Sequence, residues 1–194
     1  MMNKNTINWR KASVEIAGIV FAVLLALWLE AWRDDMELQD RADEALERVH
    51  AEISQNRIDM IDSNKLNLRN LEALRKAMRE EGSTIDTLGP YLHISSASLS
   101  DSSWTSAKMT EVLGKMPMET IGELAALYET QQYFTEYARF LMKEYTELTS
   151  DIQFGPDREK AAVKFAQHLA IMNSLGEQLV QTYDDFLKVE EAVE

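Results

Sequence analysis

An all-α fold is what this sequence predicts, with an N-terminal transmembrane helix continuing into a long amphipathic helix and then an antiparallel helical bundle. Three observations lead there. Ile16 to Leu29 contains no polar side chain, and nothing later in the chain runs apolar for half as long. Downstream, apolar residues recur at steps of three, four and seven, the period of one helix face. Seven glycines and three prolines leave few places in 194 residues to break a helix.

The first element is the membrane segment, residues 12–32. Its uninterrupted apolar core rises about 21 Å, short of a hydrocarbon layer roughly 30 Å thick. Extending the helix to Ala12 and Trp32 supplies the rest and takes in Glu15 and Glu30. Both lie near the ends, where a carboxylate reaches the headgroups at far less cost than at mid-bilayer. Trp9, Trp28 and Trp32 fall at the edges, where aromatic belts form. The stretch ends Trp-Leu-Glu-Ala-Trp, with no small-x-small site for a signal peptidase, so the helix is expected to stay as a signal-anchor.

Charge sets the orientation. Residues 1–11 carry Lys4, Arg10 and Lys11 with no acid, whereas residues 34–194 hold 16 basic against 31 acidic residues, a net −15. Basic flanks stay in the cytoplasm, so a single-pass protein is expected with its tail (1–11) inside. Its acidic domain (33–194) would then lie outside, in the periplasm if the source is a bacterium with two membranes. The overall net charge of −13 excludes a nucleic-acid partner, which needs a basic face. Zero cysteines removes disulfides and thiolate metal sites.

Past the anchor the chain is expected to stay helical from Arg33 to about Glu81, with Gly82 as C-cap. Leu38, Ala42, Leu46, Val49, Ile53 and Met60 make a seam. A second stripe follows through Ile61, Leu68, Leu71, Leu74 and Met78. A helix of this length must either pair with a partner or break near Asp62–Asn64. The seam skips Asn56, read as an ordinary exposed or capping residue, the sharper alternative being a register-fixing Asn in a helix–helix interface.

Gly89-Pro90 marks a turn, and Ser95 to Ser103 reads as a short Ser-rich loop. Asp101 or Ser102 caps a short helix through Trp104, Ala107, Met109 and Leu113, ending at Gly114. Pro117 suits the first position of the next helix, which carries Ile121, Leu124, Leu127, Phe134, Ala138, Leu141, Tyr145 and Leu148. Phe154-Gly-Pro156 breaks it, and Asp157 caps a last helix through Phe165, Leu169, Met172, Leu179, Tyr183 and Phe186. Helices of this kind bury their stripes against one another.

Little here carries catalysis. Glu47-Arg-Val-His50 is one Glu-x-x-His, the unit that di-metal carboxylate bundles use twice, and neither His93 nor His168 completes a second copy. There is no His-Glu-x-x-His, no Gly-x-Ser-x-Gly and no Gly-rich phosphate loop. No catalytic residue, metal or cofactor is therefore expected. Tyr133, Phe134, Tyr137, Phe140 and Tyr145 read as core packing rather than a ligand cleft.

One constellation points to association. At about 100° per residue Gly18, Ala22 and Ala26 form a small-residue ridge, with Glu15 on it and Glu30 on its flank. Such ridges let membrane helices approach closely, and carboxylates there hydrogen-bond across the pair. The seam through Val49 and Ile53 would extend the same contact into water, giving a homo-oligomer.

The pattern resembles a family of small bacterial single-pass membrane proteins known only as a domain of unknown function. Four segments carry the resemblance: EIAGIVFAVLLALWLEAWRDD, ALERVHAEISQNR, SSWTSAKMTEVL and ELAALYETQQ. Where a glycine belongs near the end of the third, this chain has Met109–Thr110 before Glu111. The resemblance implies a bacterial, helical, membrane-anchored protein and no assigned activity.

Together these readings make a non-enzymatic, membrane-anchored interaction or scaffold protein the first expectation, self-associating and presenting an acidic bundle to an unidentified protein partner. The alternative is an extracytoplasmic sensor or small-molecule-binding module. An 11-residue tail holds no output domain, which disfavours direct signalling inward.

Overall fold

A single helix, α1 (Trp9–Ala77), joins the apolar segment to the rest of the molecule without a break. The computed structural model describes residues 9–79 and 88–191. After α1 come α2 (Ser102–Lys108), α3 (Met118–Phe154) and α4 (Arg158–Glu191), with 3₁₀ turns at Gly89–Tyr91 and Glu111–Lys115. No strand occurs among the described residues, and the all-α class holds. The predicted helix end at Glu81 and the Gly82 cap lie outside the described residues, as does Lys4.

At 69 residues α1 is about 100 Å long. No proline and no glycine after Gly18 interrupts it, and its exposed face carries Arg41–Glu37 and Arg48–Glu44 pairs at 2.6 Å, one turn apart. Such pairs contribute a few tenths of a kcal/mol each, so tertiary packing rather than propensity must hold so long a helix. That packing begins at Leu38 and Ala42 and continues to Ala77.

α4 runs antiparallel between α1 and α3. It meets α1 through Arg57–Asp184 and the edge-on contact of His50 with Phe186, and α3 through Gln131–Tyr183 and Tyr145–Phe165. The fourth side of this four-sided bundle is not a helix. An extended strap, Leu92 to Asp101, fills most of the gap between α1 and α3 and leads into α2. The core is the set of inward stripes: Ile53, Met60 and Leu74 of α1, Leu124, Leu141 and Ile152 of α3, and Leu169, Met172 and Leu179 of α4 are fully buried. Each large apolar side chain so buried contributes about 1.5–3 kcal/mol.

Of the two alternatives for so long a helix, α1 pairs, with α4, and does not break near Asp62–Asn64. Several other expectations are corrected. Ser63, Asn64 and Asn67 are buried, whereas Ile61 and Leu68 of the supposed second stripe are exposed; Leu71 and Leu74 join the core and Met78 packs against it, partly buried. For Ser63 and Asn67 the physical reason is the strap, whose backbone needs hydrogen-bonding partners on α1 that apolar side chains cannot supply, whereas Asn64 packs against Gly176 of α4. Asn56 is likewise buried, not surface or capping. The short helix predicted to end at Gly114 is two pieces, α2 and a 3₁₀ turn, with Thr110 extended between them. Of the aromatic stripe on α3 only Phe134 is fully in the core, while Tyr133 and Phe140 are exposed.

The turns sit close to where their residues place them. Pro117 precedes α3, its carbonyl accepting from Ile121, and Asp157 precedes α4, its carbonyl accepting from Ala161. Gly155 closes α3 through an N–H bond to the Asp151 carbonyl, and a Cβ at this position would come within 2.6 Å of that oxygen. Glycine is required there for space. At the middle of the α1–α4 contact, Gly176 leaves room for the Asn64 amide, which a Cβ would approach to 2.1 Å.

Candidate functional site

The strap is held by side-chain amides of α1. Ser100 donates its N–H to Asn56 Oδ1 at 2.9 Å while its carbonyl accepts from Asn56 Nδ2 at 2.7 Å. Ser95 is gripped the same way by Asn67, both bonds being 2.8 Å, and its carbonyl also accepts from the Ser63 hydroxyl. Further along, Asn70 donates to the His93 carbonyl. The registers match: eleven residues of helix and five of extended chain both span about 17 Å, so two asparagines three turns apart meet peptide units five apart.

Around Asn56 the bonds branch into a buried polar hub that joins every element of the bundle. Gln131 of α3 donates to the Ser100 carbonyl at 2.9 Å, and its Oε1 accepts from Tyr183 of α4 at 2.7 Å and from Asn56 at 3.2 Å. One turn below, Glu52 Oε1 accepts from Tyr128 at 2.6 Å. Its Oε2 accepts from the hydroxyls of Ser100 and Ser102 and from the Ser103 N–H, at 2.8–2.9 Å. The N-terminus of α2 is thus capped from another helix, since Asp101 makes no side-chain cap of its own.

Electrostatics at the hub follow from these partners. Burial pushes the Glu52 carboxyl up, but the Ser103 N–H with the hydroxyls of Tyr128, Ser100 and Ser102 outweighs it and holds the group below the usual carboxylate range. Burial and the neighbouring Glu52 charge push both Tyr128 and Tyr183 well up, so both stay protonated as donors. The amides of Asn56 and Gln131, the two tyrosines and Glu52 are engaged with protein partners. The arrangement fixes geometry and offers no free nucleophile or base.

Three of the four segments that carry the family resemblance meet here: ALERVHAEISQNR supplies Glu52 and Asn56, SSWTSAKMTEVL supplies Ser102 and Ser103, and ELAALYETQQ supplies Tyr128 and Gln131. Of these, sequence reasoning singled out Asn56, and Ser102 only as a possible helix cap. A buried Glu or Gln looks like any other on an amphipathic helix, and its partners lie 31 to 76 residues away.

The residues chosen for helix association fall into two groups. Glu15, Gly18, Ala22, Ala26 and Glu30 lie on the exposed part of α1, and around Gly18 a Cβ would meet nothing within 4 Å. Val49 and Ile53 are 0% exposed, packed into the chain's own core. They are not available to a second copy, because the folding of α4 against α1 has already used that stripe. Glu47 and His50 share no ligand set: among the described residues no group of three His, Cys, Asp or Glu is placed to hold a metal ion.

Two further surfaces remain. A half-open cleft of about 550 Å³ lies between α2 and α3, with the stacked rings of Trp104 and Tyr128 in its wall, 5.8 Å apart, and Lys108 and Arg139 along its rim. On the far side of α3, Tyr137, Phe140 and His168 form a ring cluster, the Tyr137 hydroxyl 2.9 Å from His168 Nδ1. Among the described residues one helix, α1, is long and apolar enough to cross a membrane. No family model, curated protein or solved structure matches this chain.

Proposed function

We propose that this protein is a non-enzymatic, membrane-anchored interaction module: a rigid helical bundle held at an extracytoplasmic membrane face and paired with a second copy through its spanning segment. One observation carries the reading. α1 is continuous, and its apolar residues 13–29 are all exposed while the same helix, from Leu38 on, is built into the core. A run of apolar surface of that length, outside the bundle and with Trp28 and Trp32 stacked at its end, matches a bilayer rather than water. Membership of the family that the four segments resemble belongs to the same proposal.

Self-association on this reading is confined to the segment with Glu15, Gly18, Ala22, Ala26 and Glu30. The tail carrying Lys4, Arg10 and Lys11 faces the cytoplasm. A reporter fused after Glu194 is expected to be active only outside the cytoplasm, and alkaline carbonate should leave the protein in the membrane. Crosslinking of the full chain in membranes should give a dimer or larger species that Gly18→Leu diminishes. Cytoplasmic reporter activity would overturn the orientation, and crosslinks indifferent to Gly18→Leu would overturn the pairing.

The cleft beside Trp104 and Tyr128 favours a second reading, a module that takes a small polar molecule. It differs from the aromatic cleft that the α3 stripe would have made, because Tyr133 is exposed and Phe140 packs, half-exposed, against Tyr137 and His168. Titration calorimetry with the purified domain in detergent against a panel of small zwitterions and sugars would separate the two readings.

A further inference from the structure

We infer that the base of the bundle rests in the lipid headgroup layer, with Met109 and Met118 making a second membrane contact beside the spanning helix. This rests on reading α1 as a spanning helix and goes beyond it by placing a different part of the chain in the bilayer surface.

Because α1 is unbroken, heights above the membrane can be counted along it. Trp28 and Trp32 stack with ring centroids 6.4 Å apart at the end of the apolar segment, the place of an aromatic belt. Lys115, in the 3₁₀ turn between α2 and α3, pairs with Asp35, three residues and about 5 Å further on. Headgroup layers are about 5–7 Å deep on each side of the hydrocarbon, so that ion pair sits among headgroups. α3 rises parallel to α1, since Tyr128 meets Glu52 and Gln131 meets Asn56. By that register Met118 stands level with residues near 42, about 15 Å past Trp32. Thr110 and Val112 line a cleft with Arg41 and Ala45, which puts Met109 at the same height. Spanning helices tilt by about 20° on average. Over a helix–helix distance of about 10 Å a tilt toward α3 lowers this side of the bundle by about 3 Å, and the long Met118 side chain, leaning toward the N-terminal end of α3, reaches down from there toward the headgroups.

The side chains there fit such a surface. Met118 and Met109 are 82% and 81% exposed, the two most exposed large apolar side chains of the described residues. They lie at the one end of the bundle that the helix holds against lipid. Methionine is flexible and adapts to an irregular apolar boundary. Acids lie at this end of the bundle, Glu37, Asp40 and Asp43 on α1 and Glu111 and Glu119 beside the methionines, alongside Arg41, Lys108 and Lys115, so the contact is apolar in character and does not depend on anionic lipid.

The chain has no cysteine, which allows single probes. The full chain, as Met109→Cys, Met118→Cys, Met142→Cys or Leu25→Cys, is labelled with an environment-sensitive fluorophore. Each is placed in phosphatidylcholine vesicles containing a headgroup-located or an acyl-chain-located spin label. Probes at 109 and 118 are expected to emit further to the blue than the probe at 142, which sits near the far end of α3. They should also be quenched several-fold more by the headgroup label. Probes at 109 and 118 that behave like 142, while the probe at 25 is quenched by the acyl-chain label, would overturn this contact and leave the spanning helix standing. An unquenched probe at 25 would overturn both. Far-ultraviolet circular dichroism of each variant checks that the bundle is folded.

Discussion

The two parts of α1 share one backbone and obey opposite rules. From residue 13 to residue 37 every apolar side chain faces outward and no polar one is hidden. From Leu38 to Ala77 the helix buries one stripe, and that stripe contains amides as well as hydrocarbon: Val49, Ile53 and Met60, but also Asn56, Ser63, Asn64 and Asn67. The difference lies in what each part is packed against. On the membrane reading proposed above, lipid tails offer the first part no hydrogen bonds, in keeping with the lack of a polar side chain from Ile16 to Leu29, whereas the extended strap demands partners for its backbone and finds them in Asn56, Asn67 and Asn70. Hydrophobicity alone describes the first part and misdescribes the second.

The comparison can be broken most forcefully at Val49. Val49→Asp places a carboxylate where the side chain is 0% exposed, at a cost on the order of several kcal/mol. The bundle should lose its cooperative thermal transition, while carbonate resistance of the membrane fraction stays intact. A mutant with wild-type Tm would show that this stretch is not core. Asn56→Leu follows. It keeps the size and removes both bonds to Ser100 and one to Gln131, and should cost about 2–3 kcal/mol in denaturant titrations. Faster hydrogen exchange at the Ser100 amide would locate the loss in the strap, and unchanged exchange would refute the clamp.

Gly176→Ala tests the close approach of α4 to α1. Its Cβ would displace the Asn64 amide, costing about 1–2 kcal/mol in the same titration. A neutral or stabilising result would mean that Asn64 finds another place. Glu52 gives a pH signature. Its folded pKa lies below the unfolded value, so its contribution is complete above about pH 4.3 and is lost as the pH falls through the folded value. Tm should therefore decline on acidification below that point, and Glu52→Gln should flatten this acid limb. A limb of unchanged steepness in the variant would assign it to other carboxylates. The smallest effect on folding belongs to Gly18→Leu, which should move bundle stability by less than about 0.5 kcal/mol while reducing crosslinked species in membranes.

Much of the bundle could be read from spacing. The inward stripes of α3 and α4 from Leu124 to Leu148 and from Phe165 to Phe186 lie where the three- and four-residue steps put them, and Pro117, Phe154-Gly-Pro156 and Asp157 mark turns. The hub could not be read in this way. Glu52, Gln131 and Tyr183 look like ordinary surface or core positions until the strap passes between them, and Ser95 to Ser103 carries the composition of a loop while packing as the fourth side of the bundle.

By itself the sequence determined which long stretches are helical, where the turns before α3 and between α3 and α4 fall, and which segment is the most apolar. Those properties depend on neighbours within a turn or two: propensity, capping and the 3.6-residue period act over a few residues. Only the tertiary structure decided what each face meets. It placed Val49 and Ile53 against α4 instead of a second copy, buried asparagine where leucine was exposed, and packed the serine-rich loop as an extended strap along α1. The reason is that a hydrogen bond to a backbone 28 or 44 residues away has no period in the chain. Its worth appears only once burial has removed water as the competing partner.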